Sequence, residues 1–212
     1  MSPDILQFKT PTILFGNGAT PTHPAVLKKI SEANSILCVD GGTDKLEKIG
    51  YYPDLILGDL DSLIYDPGKY ECDLIHLDDQ SRTDLEKSLE WCFSRGIKDL
   101  SLVGFSGGRD DHTVVVLQTL LSYAHRMNLI FYSNYSTVQC VKDDASFNTF
   151  PGQIISIIHP NENIKITTQG LKFPLNNSGL NSPGHGISNV AEGDQCSIRS
   201  TEWVWVFFNF AE

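Results

Sequence analysis

Short apolar runs alternate with segments of helical spacing from the start of the chain to about Met127. Thr12–Phe15, Ser35–Val39, Leu55–Leu57, Leu74–Leu77 and Leu100–Val103 are brief, largely apolar and bounded by polar or glycine-containing stretches, which predicts buried strands. Between them, Pro24–Ala33 reads as a helix with Thr22 or His23 at its start and Pro24 in the first turn, where a missing N–H does no harm. Thr83–Arg95 is a second helix: Leu85, Leu89 and Cys92 or Phe93 fall on one face. Thr83 with Glu86 three residues later has the form of a capping box, and Gly96 is placed to end the helix. His112–Arg126 is the third. Strands and helices in this alternation predict an open parallel sheet covered by helices.

After about Leu129 the helical spacing stops. Ile154–Ile158, Ile164–Thr167 and Trp203–Phe208 read as strands separated by Gly, Pro and Asn clusters, and Asn176–Gly186 reads as a loop. The expectation is an α/β domain over residues 1–128 and an all-β sandwich over 129–212. A chain of 212 residues is long enough for that division.

The acidic residues fall in revealing places. Asp40-Gly41-Gly42 follows one predicted strand, Gly58-Asp59-Leu60-Asp61-Ser62 another, Asp78–Asp84 a third, and Gly104–His112 a fourth. Ligands of open parallel sheets bind outside the carboxyl ends of the strands, so all four clusters are expected at one edge. Asp59 and Asp61 are two residues apart and, in extended backbone, point the same way toward one cation. Carboxylate oxygens suit a hard, magnesium-like ion that also takes substrate phosphates. Gly107-Gly108-Arg109 adds bare N–H groups and a guanidinium for phosphate oxygens. Together these residue types suggest phosphoryl or pyrophosphoryl transfer. Each taken alone has a plainer reading: a solvated turn, a helix-dipole partner for Asp84, a surface ion pair for Arg109, an N-cap or packed side chain for His112.

Net charge narrows the partners. At −10 the surface repels DNA, RNA and anionic lipid, although a metal and a placed arginine can reverse the field locally. The five cysteines are scattered with no CxxC pair, which suggests reduced, buried thiols. No apolar run approaches the ~20 residues of a membrane span, and Met1–Ile5 shows no secretory pattern, so a cytoplasmic location is expected.

In their order and spacing, Asp40-Gly41-Gly42, Pro53–Ser62, Thr83–Lys87 and Gly107–His112 resemble the thiamine pyrophosphokinases, and Gly170–Leu175 with Ser188-Asn189 resembles that family's thiamine-binding β domain. The resemblance implies a Rossmann-like catalytic domain and transfer of the pyrophosphoryl group of ATP to the hydroxyl of thiamine, with release of AMP. It implies Mg2+ held by Asp59, Asp61 and Asp84, with Asp111 and Arg109 joining them in catalysis. Asp40, Gly41, Gly42, Gln80, Thr83, Gly107, Gly108 and His112 would face the nucleotide. Ser188, Asn189 and Trp205 or Trp203 would serve thiamine, in a homodimer with sites between chains. Three positions depart from the family pattern: Val116 where Asn is common, Ser81 where an acidic residue is common, and Gly186 in place of the first Ser of Ser-x-Ser-Asn. The alternatives are a pyrophosphokinase or nucleotide hydrolase for another substrate, and a non-catalytic protein that binds thiamine or its diphosphate.

Overall fold

The computed structural model describes residues 8–59, 70–159 and 163–211. Asp61 and Ser62 of the expected carboxylate segment therefore lie outside the described residues. The chain divides into two compact units, one of residues 1–119 with 126–134 and one of 120–125 with 135–212.

The described residues of the first unit form six parallel strands in the order β6-β5-β1-β2-β3-β4. They are β1 (Thr12–Phe15), β2 (Ser35–Val39), β3 (Leu55–Gly58), β4 (Asp73–His76), β5 (Asp99–Val103) and β6 (Asn128–Tyr132). The central strands β1, β2 and β3 are buried at every residue, as a sheet covered on both faces requires. Among the described residues, four helices alternate with the strands: α1 (Pro24–Ser31), α2 (Gly42–Lys48), α3 (Asp84–Ser94) and α4 (Asp110–Tyr123). In α1, His23 is the N-cap and its Nδ1 accepts from Ala25 N at 3.2 Å. Helix α3 carries the expected capping box: Thr83 N donates to Glu86 Oε2 at 3.0 Å and Glu86 N donates to Thr83 Oγ1 at 3.3 Å. Its apolar stripe, Leu85, Leu89 and Cys92, is buried, and burying such side chains supplies most of a short helix's stability.

The strand order places a topological switch between β1 and β5, which are neighbours although β1 leads to β2 on the other side. The loops that leave these two strands are zipped together. Gly16 N donates to Val103 O at 2.8 Å, Gly18 N to Gly104 O at 2.5 Å and Ala19 N to Ser106 O at 2.7 Å. Such a switch opens a crevice at the carboxyl edge.

The second unit is antiparallel. Two long strands, β7 (Ser136–Asn148) and β11 (Gln195–Asn209), pair along their length with a register shift between Ser200 and Val204. β8 (Ile154–Ile158) and β9 (Ile166–Gln169) pair with β11, and β10 (Asn189–Val190) pairs with β8. Ile155, Ile157, Ile166, Ile198, Val204, Val206 and Phe208 form its core. No described helix is long and apolar enough to cross a membrane.

Candidate active site

The site lies at the carboxyl edge of the parallel sheet. Asp40 follows β2, Asp59 follows β3 and Asp84 opens α3. Each offers a carboxylate oxygen, and these oxygens all lie within 4.8 Å of one another. Two local features bring them together. Asp40 takes a positive φ of 40°, a left-handed conformation that aspartate tolerates better than most residues, and its N–H donates to Leu57 O at 3.1 Å. Gly58, at φ 151°, gives the Asp40 carboxylate room: a Cβ there would sit 2.3 Å from Asp40 Oδ1. Glycine is required because the Asp40 side chain lies against the Gly58 backbone.

Asp84 is held differently. It is the first residue of α3, next to the capping Thr83, where the helix dipole favours a negative charge. Lys87, one turn on, reaches both remaining carboxylates. Its Nζ is 2.6 Å from Asp84 Oδ1 and 3.5 Å from Asp59 Oδ2, with the lysine side chain 4% exposed. Burial pulls the Lys87 ammonium down, but its bonds to Asp84 and the charges of Asp84 and Asp59 outweigh burial, so its pKa lies above the ordinary lysine value.

A cavity of about 520 Å³ opens beside these groups. Asp40, Thr83 and Asp84 line one side, Asn17 and Gly18 the loop after β1, and Gly104–Ser106, Gly108, Arg109, Asp111 and His112 the loop after β5 and the start of α4. Arg109 and Asp111 are exposed and joined twice: Nε to Oδ1 at 3.1 Å, and Nη2 to Oδ2. The Arg109 hydrogen bond holds the Asp111 carboxyl below the usual carboxylate range, against a smaller opposing effect of burial, with the His112 N–H acting in the same sense as Arg109. The N-termini of α3 and α4 both meet this cavity, so two helix dipoles favour an anion there.

The structure thus brings together Asp40, Asp59, Thr83, Asp84, Gly108, Arg109, Asp111 and His112 in the first unit. Gly41 and Gly42 open α2 beside Asp40, Gly107 precedes Gly108 at φ 79°, and Gln80 lies outside the cavity lining. Ser81, one of the departures, donates its N–H to Asp79 Oδ1 at 2.9 Å and its hydroxyl at 2.5 Å, and so ties this loop. Val116 gives the cavity wall an apolar, buried patch.

The residues expected to serve thiamine lie in the second unit. Ser188 N donates to Ser156 Oγ at 3.0 Å. Asn189 is buried and clamps the Lys172–Pro174 segment: its Nδ2 donates to Phe173 O at 2.7 Å and its Oδ1 accepts from Phe173 N at 3.0 Å. At Gly186, which departs from the family pattern, a Cβ would sit 2.1 Å from Ile157 O, so this backbone has no room for a side chain there. Trp205 is buried in β11 between β7 and β8, and Trp203 is half-buried beside the register shift.

Sequence reasoning placed Lys87 in the Thr83–Lys87 motif but gave it no role of its own, and it passed over the loop Asn17-Gly18. The loop could have been found, since it follows a strand as the acidic clusters do. The role of Lys87 has no local signal beyond that motif: a lysine at this position of a helix reads as solvated until burial is known.

Fold and site together define a protein of two units, an α/β unit with a cluster of three carboxylates at its sheet edge and an antiparallel β unit after it. The family descriptions "Thiamin pyrophosphokinase, catalytic domain" and "Thiamin pyrophosphokinase, vitamin B1 binding domain" match residues 26–131 and 137–205. The chain belongs to the thiamin pyrophosphokinase family. Thiamin pyrophosphokinase 1 of Caenorhabditis elegans is 28% identical over 102 residues, 44% of this chain and 42% of that protein, so the match spans less than half of that curated relative. The fold is similar to solved thiamin pyrophosphokinases from Bacillus subtilis (TM-score 0.78, 22% identity, 95% of this chain and 98% of that one) and Candida albicans (TM-score 0.81, 15% identity, 94% and 88%).

Proposed function

We propose that the protein transfers the β,γ-diphosphate of ATP to the hydroxyl of thiamine, giving thiamine diphosphate and AMP. The observation that carries this reading is the convergence of Asp40, Asp59 and Asp84 within 4.8 Å at the sheet edge, in a chain matched by both domains of the family. Three acceptor-only carboxylates fit a hard divalent cation, and Mg2+ is the ion proposed, held by Asp40, Asp59 and Asp84, with Asp61 added from the sequence pattern. When bound, such an ion neutralises phosphate charge and orients the polyphosphate.

In this reading the thiamine hydroxyl oxygen bonds to the β-phosphorus, the bond from that phosphorus to the α,β-bridging oxygen breaks, and AMP leaves with that oxygen. The hydroxyl proton leaves to solvent or a carboxylate, and Asp111, kept ionised by Arg109, is an acceptor at the cavity wall. Arg109 offsets charge on the transferred group, as a guanidinium suits phosphate oxygens. The positive ends of the α3 and α4 dipoles favour phosphate oxygens at the cavity. Thr83, Gly108 and His112 face the nucleotide, with Gln80 and Gly107 nearby in sequence and Gly41 and Gly42 next to Asp40. Ser188, Asn189 and a tryptophan of β11 serve thiamine, in a cytoplasmic homodimer.

Incubation with ATP, Mg2+ and thiamine, followed by chromatography of the products, tests the reading. AMP and thiamine diphosphate in equal amounts are expected. ADP with thiamine monophosphate, or no thiamine-dependent product, refutes it.

A further inference from the structure

We propose that Lys87 is a positioning residue of the cation site: its buried ammonium draws the Asp59 and Asp84 carboxylates into ligating distance of Asp40 before any metal arrives. The inference rests on the cation site of the preceding reading and adds a residue to it.

Three observations carry it. Lys87 Nζ lies 2.6 Å from Asp84 Oδ1 and 3.5 Å from Asp59 Oδ2, so one group bridges residues from α3 and from the end of β3. The lysine side chain is 4% exposed, so it is fixed by packing. Asp40 and Asp84 line the cavity while Lys87 does not, so the ammonium meets the carboxylates from the protein side. A carboxylate has two oxygens and about four lone-pair sites, so one oxygen can accept from Lys87 while the other ligates a cation.

The arrangement answers a physical problem. Carboxylates whose oxygens lie within 4.8 Å repel one another, and without a counter-charge they splay apart or one takes up a proton. A buried lysine removes the repulsion without blocking the open side. A metal then meets a site already shaped, and the cost of ordering its ligands falls.

The direction of the effect separates this role from a simpler one. If Lys87 only balanced charge, its removal would leave the site more negative and tighten cation binding. If it positions ligands, its removal weakens binding.

The probe is Mn2+ alone, titrated into the full chain with free Mn2+ read by electron paramagnetic resonance and folding checked by thermal melt. Lys87→Met keeps the aliphatic packing and removes the charge. We expect Mn2+ binding about 10–100-fold weaker, the loss typical of removing a group that orients metal ligands. Folded Lys87→Met that binds Mn2+ as tightly as the unsubstituted protein, or more tightly, overturns the inference. A second measurement needs no variant: the Lys87 ammonium resonance of the unsubstituted protein is followed by nitrogen-proton NMR during addition of Mg2+. Its persistence is expected; its loss at saturation shows displacement from the carboxylates and overturns the inference. Failure of the underlying reading looks different. An unsubstituted protein with no Mn2+ binding sensitive to Asp59→Asn removes the cation site itself, and the role of Lys87 with it.

Discussion

Gly58→Ala tests whether the backbone of β3 shapes the carboxylate cluster. The added methyl would sit 2.3 Å from Asp40 Oδ1, 2.4 Å from Cγ and 2.5 Å from Oδ2, whereas ordinary contact begins near 3.4 Å. The Asp40 carboxylate must therefore move by about 1 Å, and a displacement of that size in a catalytic constellation costs on the order of 100-fold in rate. The backbone adds its own penalty. Alanine at φ 151° occupies a region open essentially to glycine, a strain of about 1–3 kcal/mol. Two assays read the two effects: urea unfolding for stability, and thiamine-dependent AMP formation for turnover. The double variant Asp40→Ala/Gly58→Ala separates them, because it removes the clashing carboxylate. Its stability should recover part of the loss, with a coupling of about 0.5–3 kcal/mol, while turnover stays low. Gly58→Ala with unchanged turnover would show that the contact between Gly58 and Asp40 does not shape the site.

Other expectations follow from the same structure. Leu89→Ala, at a fully buried position of α3, should lower unfolding stability by about 2–5 kcal/mol in urea, and a loss well below that would mean the helix repacks. Asn189→Ala leaves Phe173 N–H and C=O without their carboxamide partner and should cost about 1–3 kcal/mol, with faster amide exchange at Phe173; unchanged exchange counts against the clamp. Burial pushes the thiols of Cys38, Cys92 and Cys140 up to about 12, so at pH 8 they should resist alkylation in the folded protein and react in urea. Rapid native labelling of these three by mass spectrometry would contradict this. The Arg199 hydrogen bond holds the Asp144 carboxyl below its usual range, so its small contribution to stability is present above the unfolded value, ~3.9, and is lost as pH falls through the folded value. Asp144→Asn should remove that acid-linked loss, and identical melting-versus-pH curves for the two proteins would refute it.

Much of the α/β unit was legible in the chain because its signals are local. Apolar runs of strand length, the Thr83–Glu86 capping box and Gly96 in a left-handed turn are decided by neighbours within a few residues. Helix α2 was not legible: Asp40-Gly41-Gly42 reads as a turn, and the seven-residue helix that follows is marked only by its packing on β1 and β2. Strand β7 was missed for a similar reason. Ser136–Asn148 has no sustained alternation and contains Lys142-Asp143-Asp144, and its extended form is fixed by pairing with β11, much later in the chain.

The candidate site divides along the same line. Local patterns along the chain place acidic and glycine-rich segments after successive strands, and parallel topology then requires them to share an edge. Which carboxylates meet is set by folding. It brought Asp40, first expected to face the nucleotide, into one cluster with Asp59 and Asp84, and it turned Arg109 toward Asp111. It also revealed Lys87 beneath that cluster. The reason is physical: placement at a sheet edge follows from strand order, which local patterns encode, whereas the burial of a charge and the distance between two carboxylates depend on atoms that the chain brings together only on folding.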